Sequence, residues 1–312
     1  MQYIGEISAL AASACWVITA LVLASAGRVV GATVVNAVRI FIAICILCFM
    51  HWLAYGNIWP EISSSSLLYL AFSGVVGLAI GDQFIYRALI DAGPRLTTLV
   101  MTSTPALTAI IAFAVLNEIV SYVDLLGMLL TMAGIAIAIF TRGEKNTNNK
   151  YPRVKLGIMF AFLGSLGQAI GLVFAKLGMN ESDPEIVNTI YQSGVTPLSA
   201  TYIRLCFGGV GATVLLLFYV FSKKANRENH LRMNFSVFFF ILAGAIFGPV
   251  LGVWLGLISI ENMDTGVAAT LMSLSPIMIL PFAKIFEKEQ ITPNAVFGAF
   301  VSIIGVIILV LN

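Results

Sequence analysis

Three ionisable side chains sit deep inside apolar runs: Arg39, Asp82 and Arg204. Ionisable residues in such places are rare and mark ion pairs, substrate contacts or proton paths. An arginine fork holds a carboxylate or phosphate through two parallel hydrogen bonds. Counted from the start of its run, Arg39 lies about 10 Å deep at the rise of an α-helix. Asp82, measured from Asp91 at the same side, lies about 13 Å deep. These matching depths predict a buried Arg39–Asp82 ion pair. Asp82 is also the only deep carboxylate, so it is the candidate carrier if protons are the coupling ion. Arg204 has no acid at the matching place in its own half. It either snorkels toward the Glu181–Glu185 loop or is free for an anionic group of a substrate.

Near the same depths lie Trp16, Asn36, Gln83, Tyr86, Gln168, Tyr202 and Trp254. Their amides and amphipathic rings are the candidate lining of a polar cavity, with Arg204 as its substrate-binding charge. Trp52, Trp59 and Tyr219 lie at run ends, where such rings anchor a helix at the interface.

Other chemistries lack their residues. The four cysteines lie in apolar runs, and Cys45-x-x-Cys48 has no second Cys or His pair to complete a zinc site. Only His51 and His230 are present, so neither a histidine relay nor a metal centre is expected, and no cofactor is implied. There is no H-E-x-x-H, no pair of membrane aspartates and no G-x-x-x-x-G-K-[ST], which excludes an intramembrane protease and direct use of ATP. No filter-like repeat points to a channel. Nothing suggests a nucleic-acid partner.

The elements that must position these residues follow from composition. The chain has 312 residues, of which 59% are hydrophobic and 10% charged; its mean hydropathy is +0.98. Soluble domains carry about 25% charged residues, so this is an integral membrane protein and its solvent is the lipid bilayer. Spans of about 20 apolar residues are expected at 4–26, 32–54, 67–90, 95–116, 122–141, 154–176, 197–221, 235–259, 265–286 and 293–311. The first run has no basic residue before Arg28, unlike a signal peptide, and is taken as a retained helix. All ten must be helical, because an open strand edge in lipid leaves unpaired backbone groups.

The halves repeat. A shift of 171 carries Gly77, Gly81, Pro105, Glu118, Gly127 and Gly134 onto Gly248, Gly252, Pro276, Glu289, Gly298 and Gly305. A shift of 165 puts Arg39 on Arg204, and one of 152 puts Gly5 on Gly157. Each half has five spans, an odd number, so the second enters the membrane upside down. The organisation is a first repeat over 1–141, a basic linker over 142–153 and an inverted repeat over 154–312. Inverted repeats of this kind build secondary transporters, with the substrate near mid-membrane between the halves. Gly77, Gly81, Gly248 and Gly252 provide smooth helix faces. Pro105 and Pro276, inside spans four and nine, should kink them; these two prolines and the four glycines are the gating candidates, and Pro249 and Pro281 add further weak points in the second half.

The stretch Gly81-Asp82-Gln83-Phe84-Ile85-Tyr86-Arg87 followed by Thr104-Pro105, Glu118 and Gly127 carries a resemblance, as does Phe247-Gly248-Pro249-Val250-Leu251-Gly252 followed by Ser275-Pro276, Glu289 and Gly298. Over nearly its whole length the chain resembles the drug/metabolite transporter superfamily, in its EamA-type branch with two EamA domains. The resemblance implies export of amino acids or other small metabolites, or exchange of sugar phosphates or nucleotide sugars. It implies a small-molecule substrate and a monomer or homodimer in the plasma or inner membrane.

Fourteen bases, among them Arg142, Lys145, Lys150, Lys223, Lys224, Arg227, Arg232, Lys284 and Lys288, lie on one face; only Lys176 lies on the face that holds the N-terminus. Positive loops stay cytoplasmic, so both termini are expected outside. Cysteines placed at Asn148 and Ser182 will react oppositely with an impermeant thiol reagent on intact cells: Ser182→Cys is labelled and Asn148→Cys is protected. Labelling of Asn148→Cys would reverse the topology.

Overall fold

Inside a bilayer no water bonds a peptide group, so a crossing segment must satisfy its own backbone. The computed structural model describes residues 3–30, 32–140, 153–181, 195–221, 235–278 and 292–311, and every regular element among them is a helix. The linker residues 142–152, Glu185, Lys223 to Arg232, Pro281, Lys284, Lys288 and Glu289 lie outside the described residues.

The first half contains α1 (Ile4–Val30), α2 (Ala32–Tyr55), and a third span built as α3 (Ser64–Ser73), a π-helical segment (Gly74–Gly81) and α4 (Asp82–Asp91). The fourth span is α5 (Gly93–Met101) and α6 (Thr104–Leu116), and the fifth is α7 (Tyr122–Phe140). The second half follows the same plan. It has α8 (Val154–Asn180), α9 (Pro197–Phe221), then α10 (Phe235–Ala245), a second π segment (Ile246–Gly252) and α11 (Val253–Asn262). The ninth span starts as α12 (Thr265–Met272) and α13 (Ser275–Met278), and α14 (Pro293–Leu311) is last. Eight of the described helices are long and apolar enough to cross a membrane; Ile4–Thr19 and Thr265–Met278 are shorter apolar stretches. The protein is an all-α, multi-pass membrane protein with two repeats.

Packing exchanges the halves. Helix α1 runs along α10, the second π segment and α11, while α8 runs along α3, the first π segment and α4. Helices α2 and α9 pair, and so do α7 and α14. In the last pair Gly127 faces Gly305 and Gly134 faces Gly298. Rising number on one helix meets falling number on the other, so equivalent helices run antiparallel, as inversion requires.

Two elements differ from the expectation. The π segments were not foreseen; in each, one backbone N–H reaches five residues back, from Asp82 to Gly77 O and from Val253 to Gly248 O. Spans four and nine are broken rather than kinked. The breaks fall at the turns Thr102–Ser103 and Ser273–Leu274, and Pro105 and Pro276 start the next helix. A proline in a first turn lacks only an N–H that would have no helical partner anyway. Ser275 Oγ then reaches Ser13 Oγ of α1 at 3.1 Å.

A β-carbon at Gly134 would lie 2.5 Å from Gly298 O, and one at Gly298 would lie 2.5 Å from Gly134 O. Gly134→Ala is expected to cost about 1–3 kcal/mol through overpacking, and Gly134→Leu to abolish the folded protein. Thermal unfolding in detergent checks this, with Ile110→Ala on the exposed face of α6 leaving the midpoint unchanged.

Candidate functional site

The two π segments are where the chain lets charge into the core. Glycines 77 and 81 press backbone to backbone on Gly171 and Gly167 of α8; a β-carbon at Gly171 would sit 2.8 Å from Gly77 Cα. Ser73 Oγ donates to Gly171 O across the same seam. This leaves room over the glycine faces. A β-carbon at Gly77 would be 3.8 Å from Arg204 Nη2, and one at Gly248 would be 3.7 Å from Arg39 Nη1. Each arginine therefore lies over the π segment of the opposite half.

Asp82 follows the first π segment and stands among these groups. Arg39 Nη2 donates to Asp82 Oδ2 at 3.4 Å and to Asn36 Oδ1 at 2.7 Å. Gln168 Nε2, from α8, donates to Asp82 Oδ1 at 2.7 Å and to Gly77 O at 3.4 Å. The Asp82 charge also acts on Arg204, and the Tyr86 phenol faces Arg39 and Asp82. Arg39 is 9% and Arg204 4% exposed. Among the described residues, Nε of both arginines is buried without a hydrogen-bond partner. The structure thus brings together Arg39, Asp82, Asn36, Gln168, Tyr86 and Arg204. Arg204 is buried beside Gly77 of the first π segment.

The remaining candidates lie elsewhere. Trp16 packs in an apolar cluster, and a β-carbon at Gly252 would be 2.6 Å from its Nε1. Tyr202 is buried between Trp59 and His51. Gln83 is half-buried on α4. Trp254 borders a cleft of about 570 Å³ between the ends of α2, α9 and α11, and Arg204 does not. No group of metal-ligating side chains occurs among the described residues.

One constellation was missed from the sequence. Lys176 Nζ lies 2.6 Å from Glu118 Oε1 and donates to Met263 O at 2.7 Å. Thr265 donates to Glu118 from its backbone N at 2.7 Å and from Oγ1 at 2.9 Å. A carboxylate from the first half thus caps the N-terminus of α12 in the second, where the helix dipole favours negative charge. Asp264, at the cap position, makes no such bond itself. Burial pushes its carboxyl above the usual range, with Glu118 and Asp124 adding to the rise and Lys176 opposing it. The available signal was that Lys176 is the lone base on its face.

Removing one partner of a buried pair leaves an uncompensated charge, at a cost of about 3–5 kcal/mol. Asp82→Asn should therefore lower the thermal midpoint more than Gln168→Leu does. In an Arg39→Met, Asp82→Leu double variant, the loss should be smaller than the sum of the single losses. A double-mutant cycle on unfolding in detergent measures this; additive losses would show that the pair does not couple.

Several comparisons bear on what carries this arrangement. No curated protein matches the sequence. A solved chain described as "Crystal structure of protein" superposes with a TM-score of 0.76 at 16% identity, over 99% of this chain and 96% of that one. At that identity the likeness shows the fold alone. The model of the EamA-like transporter family matches twice, over residues 3–140 and 155–311. With both five-helix halves matched separately, the chain belongs to the EamA-like transporter family.

Proposed function

We propose that this protein is a secondary transporter that exports a small polar or amphipathic, amino-acid-like metabolite by alternating access. In this reading it resides in the plasma or inner membrane with both termini outside, as a monomer or homodimer. The observation that carries the reading is the charge balance of the core. Two guanidinium groups are buried on equivalent helices of the two halves, and among the described residues Asp82 is bonded to that of Arg39 while Nε of each has no partner. An unsatisfied guanidinium at that depth costs several kcal/mol. A substrate carboxylate, in an anion or a zwitterion, would supply the missing acceptor through a bidentate contact with Arg204.

Alternating access needs two packings of similar energy. The smooth glycine faces at Gly77, Gly81, Gly248 and Gly252 and the breaks before Pro105 and Pro276 support motion of one half against the other. The Glu118–Lys176–Thr265 contact then works as a tie that closes the N-terminal face and must part when that face opens. Without a nucleotide site, the drive is an ion or exchange gradient. If protons supply it, Asp82 is the carrier; if the Arg39 pair holds in both states, it is not.

Arg204→Lys should leave the protein folded and inserted while weakening transport, because an ammonium cannot bond two carboxylate oxygens in one plane. Arg204→Ala should weaken it further, by about tenfold or more, the equivalent of 1.4 kcal/mol, whereas Arg39→Ala should chiefly lower expression. A metabolite-resistance screen with deletion and overexpressing strains identifies the substrate, and uptake into vesicles measures the variants. Unchanged affinity in a folded Arg204→Ala protein would remove the site assignment.

A further inference from the structure

The breaks in spans four and nine are built alike. In each, a hydroxyl turns back on its own helix: Thr102 Oγ1 donates to Leu99 O and Ser273 Oγ to Thr270 O, both at 2.7 Å. The peptide bonds match too. Thr102 N reaches Leu99 O at 3.2 Å and Ser273 N reaches Thr270 O at 3.1 Å. Ser103 N reaches Val100 O at 3.0 Å and Leu274 N reaches Leu271 O at 3.3 Å. The shift of 171 relates every one of these residues to its counterpart. Two residues after Thr102 and Ser273, at Thr104 and Ser275, the likeness ends.

Ser275 Oγ lies 3.1 Å from both Oγ and the peptide oxygen of Ser13, which is fully buried on α1. The shift of 152 carries Ser13 onto Ser165 of α8, so Thr104 and Ser165 are the counterparts of Ser275 and Ser13. All four positions keep a hydroxyl, yet the second two are not bonded to each other. Thr104 Oγ1 is buried and, among the described residues, has no hydrogen-bond partner. Ser165, also fully buried, donates back to Ala161 O of its own helix at 3.0 Å. A buried hydroxyl without a partner loses its bonds to water and gains none in return. The local backbone does not explain this, because the two turns are the same. What differs is how each turn seats against the facing helix, α1 for one and α8 for the other.

In this structure Glu118, Lys176 and Thr265 join the two halves. Because the halves have equivalent backbones, exchanging their arrangements gives the opposite-facing state at similar energy. We propose that Thr104 and Ser165 form a second latch, which closes when Ser13 and Ser275 part and the Glu118 tie opens. In that state Thr104 Oγ1 donates to Ser165 O and accepts from Ser165 Oγ. The unpartnered hydroxyl is the unused half of two alternating contacts, so each passage breaks one hydroxyl pair and makes another. The proposal rests on the alternating-access reading and adds to it the contact that replaces the one lost.

The test is disulfide crosslinking of the full chain in lipid nanodiscs with copper phenanthroline, the native Cys15, Cys45, Cys48 and Cys206 being replaced by alanine. A protease site in the linker 142–153, cut after oxidation, leaves the halves joined only where a disulfide has formed. One protein carries Ser13→Cys with Ser275→Cys, whose oxygens already lie at contact distance; the other carries Thr104→Cys with Ser165→Cys. With the tie intact, the first pair should link fast and the second slowly. Glu118→Gln removes a charge-assisted bond, so it should speed the second pair at least about fivefold and slow the first. Lys176→Met cuts the tie from its other side and should act in the same direction. Thr104→Val keeps the shape and removes the latch. Added to Glu118→Gln, it should restore the Ser13–Ser275 rate by about threefold, the worth of one hydrogen bond. If cutting the tie slows the first pair and leaves the second unchanged, the halves move but the second latch is wrong. If both pairs link in one molecule carrying all four cysteines, the contacts do not alternate and the proposal falls. If neither rate responds to either tie variant, the alternating-access reading falls with it.

Discussion

Everything at the centre of this molecule depends on how closely the third span of one half approaches the first helix of the other. In lipid there is no hydrophobic drive between helices, so they associate through packing and interhelical hydrogen bonds. At Gly77, Gly81, Gly167 and Gly171 the approach is backbone against backbone. Ser73 and Gln168 then hydrogen-bond peptide oxygens across it. The same absence of side chains opens the space in which Arg204 and Arg39 lie over Gly77 and Gly248. Close packing and buried charge are thus one feature. A methyl group added at these positions would separate the helices and crowd the guanidinium groups together.

The π segments belong to the same feature. A π turn adds a residue to the helical circuit, and such turns recur where helices carry function. Here each brings one peptide oxygen, Gly77 O or Gly248 O, under an N–H five residues on. In the first half the following residue is Asp82, so the widened turn ends on the carboxylate that the arginines need. Gln168 bonds both Gly77 O and Asp82 Oδ1. It ties the helix from the other half to both ends of the turn.

Much of this was legible in the residues. Ten apolar runs gave the helices, and the shift of 171 gave the repeat, because glycine, proline and a loop glutamate are poor accidents at one spacing. The depths of Arg39 and Asp82 brought these two together. The π segments were not legible: in an all-apolar glycine stretch, hydrophobic periodicity does not separate 3.6 residues per turn from a wider helix. The breaks before Pro105 and Pro276 looked like kinks because a proline says where a hydrogen bond is lost, not whether a turn precedes it. The Glu118–Thr265 cap joins residues 147 positions apart, and only the crossing of the two halves makes them neighbours. Gln168 counted as a lining residue, yet its role as a ligand of Asp82 needs the shift of 152, which places it level with Trp16.

That last equivalence shows how a symmetric backbone holds an asymmetric site. By the shifts of 152, 165 and 171, Gln168, Arg204 and Asp82 correspond to Trp16, Arg39 and Val253. The arginine is kept in both halves; the acid and its amide partner are kept in one. A second acid in place of Val253 would give each guanidinium its own carboxylate. The core would then be neutral and self-satisfied. Val253 and Trp16 make the second copy apolar, so among the described residues the second half offers Arg204 no acid at the matching place. Inversion needs only equivalent backbones to give two packings of similar energy. The side chains at the equivalent positions are therefore free to differ, and here that freedom sets the sign of the charge at the centre.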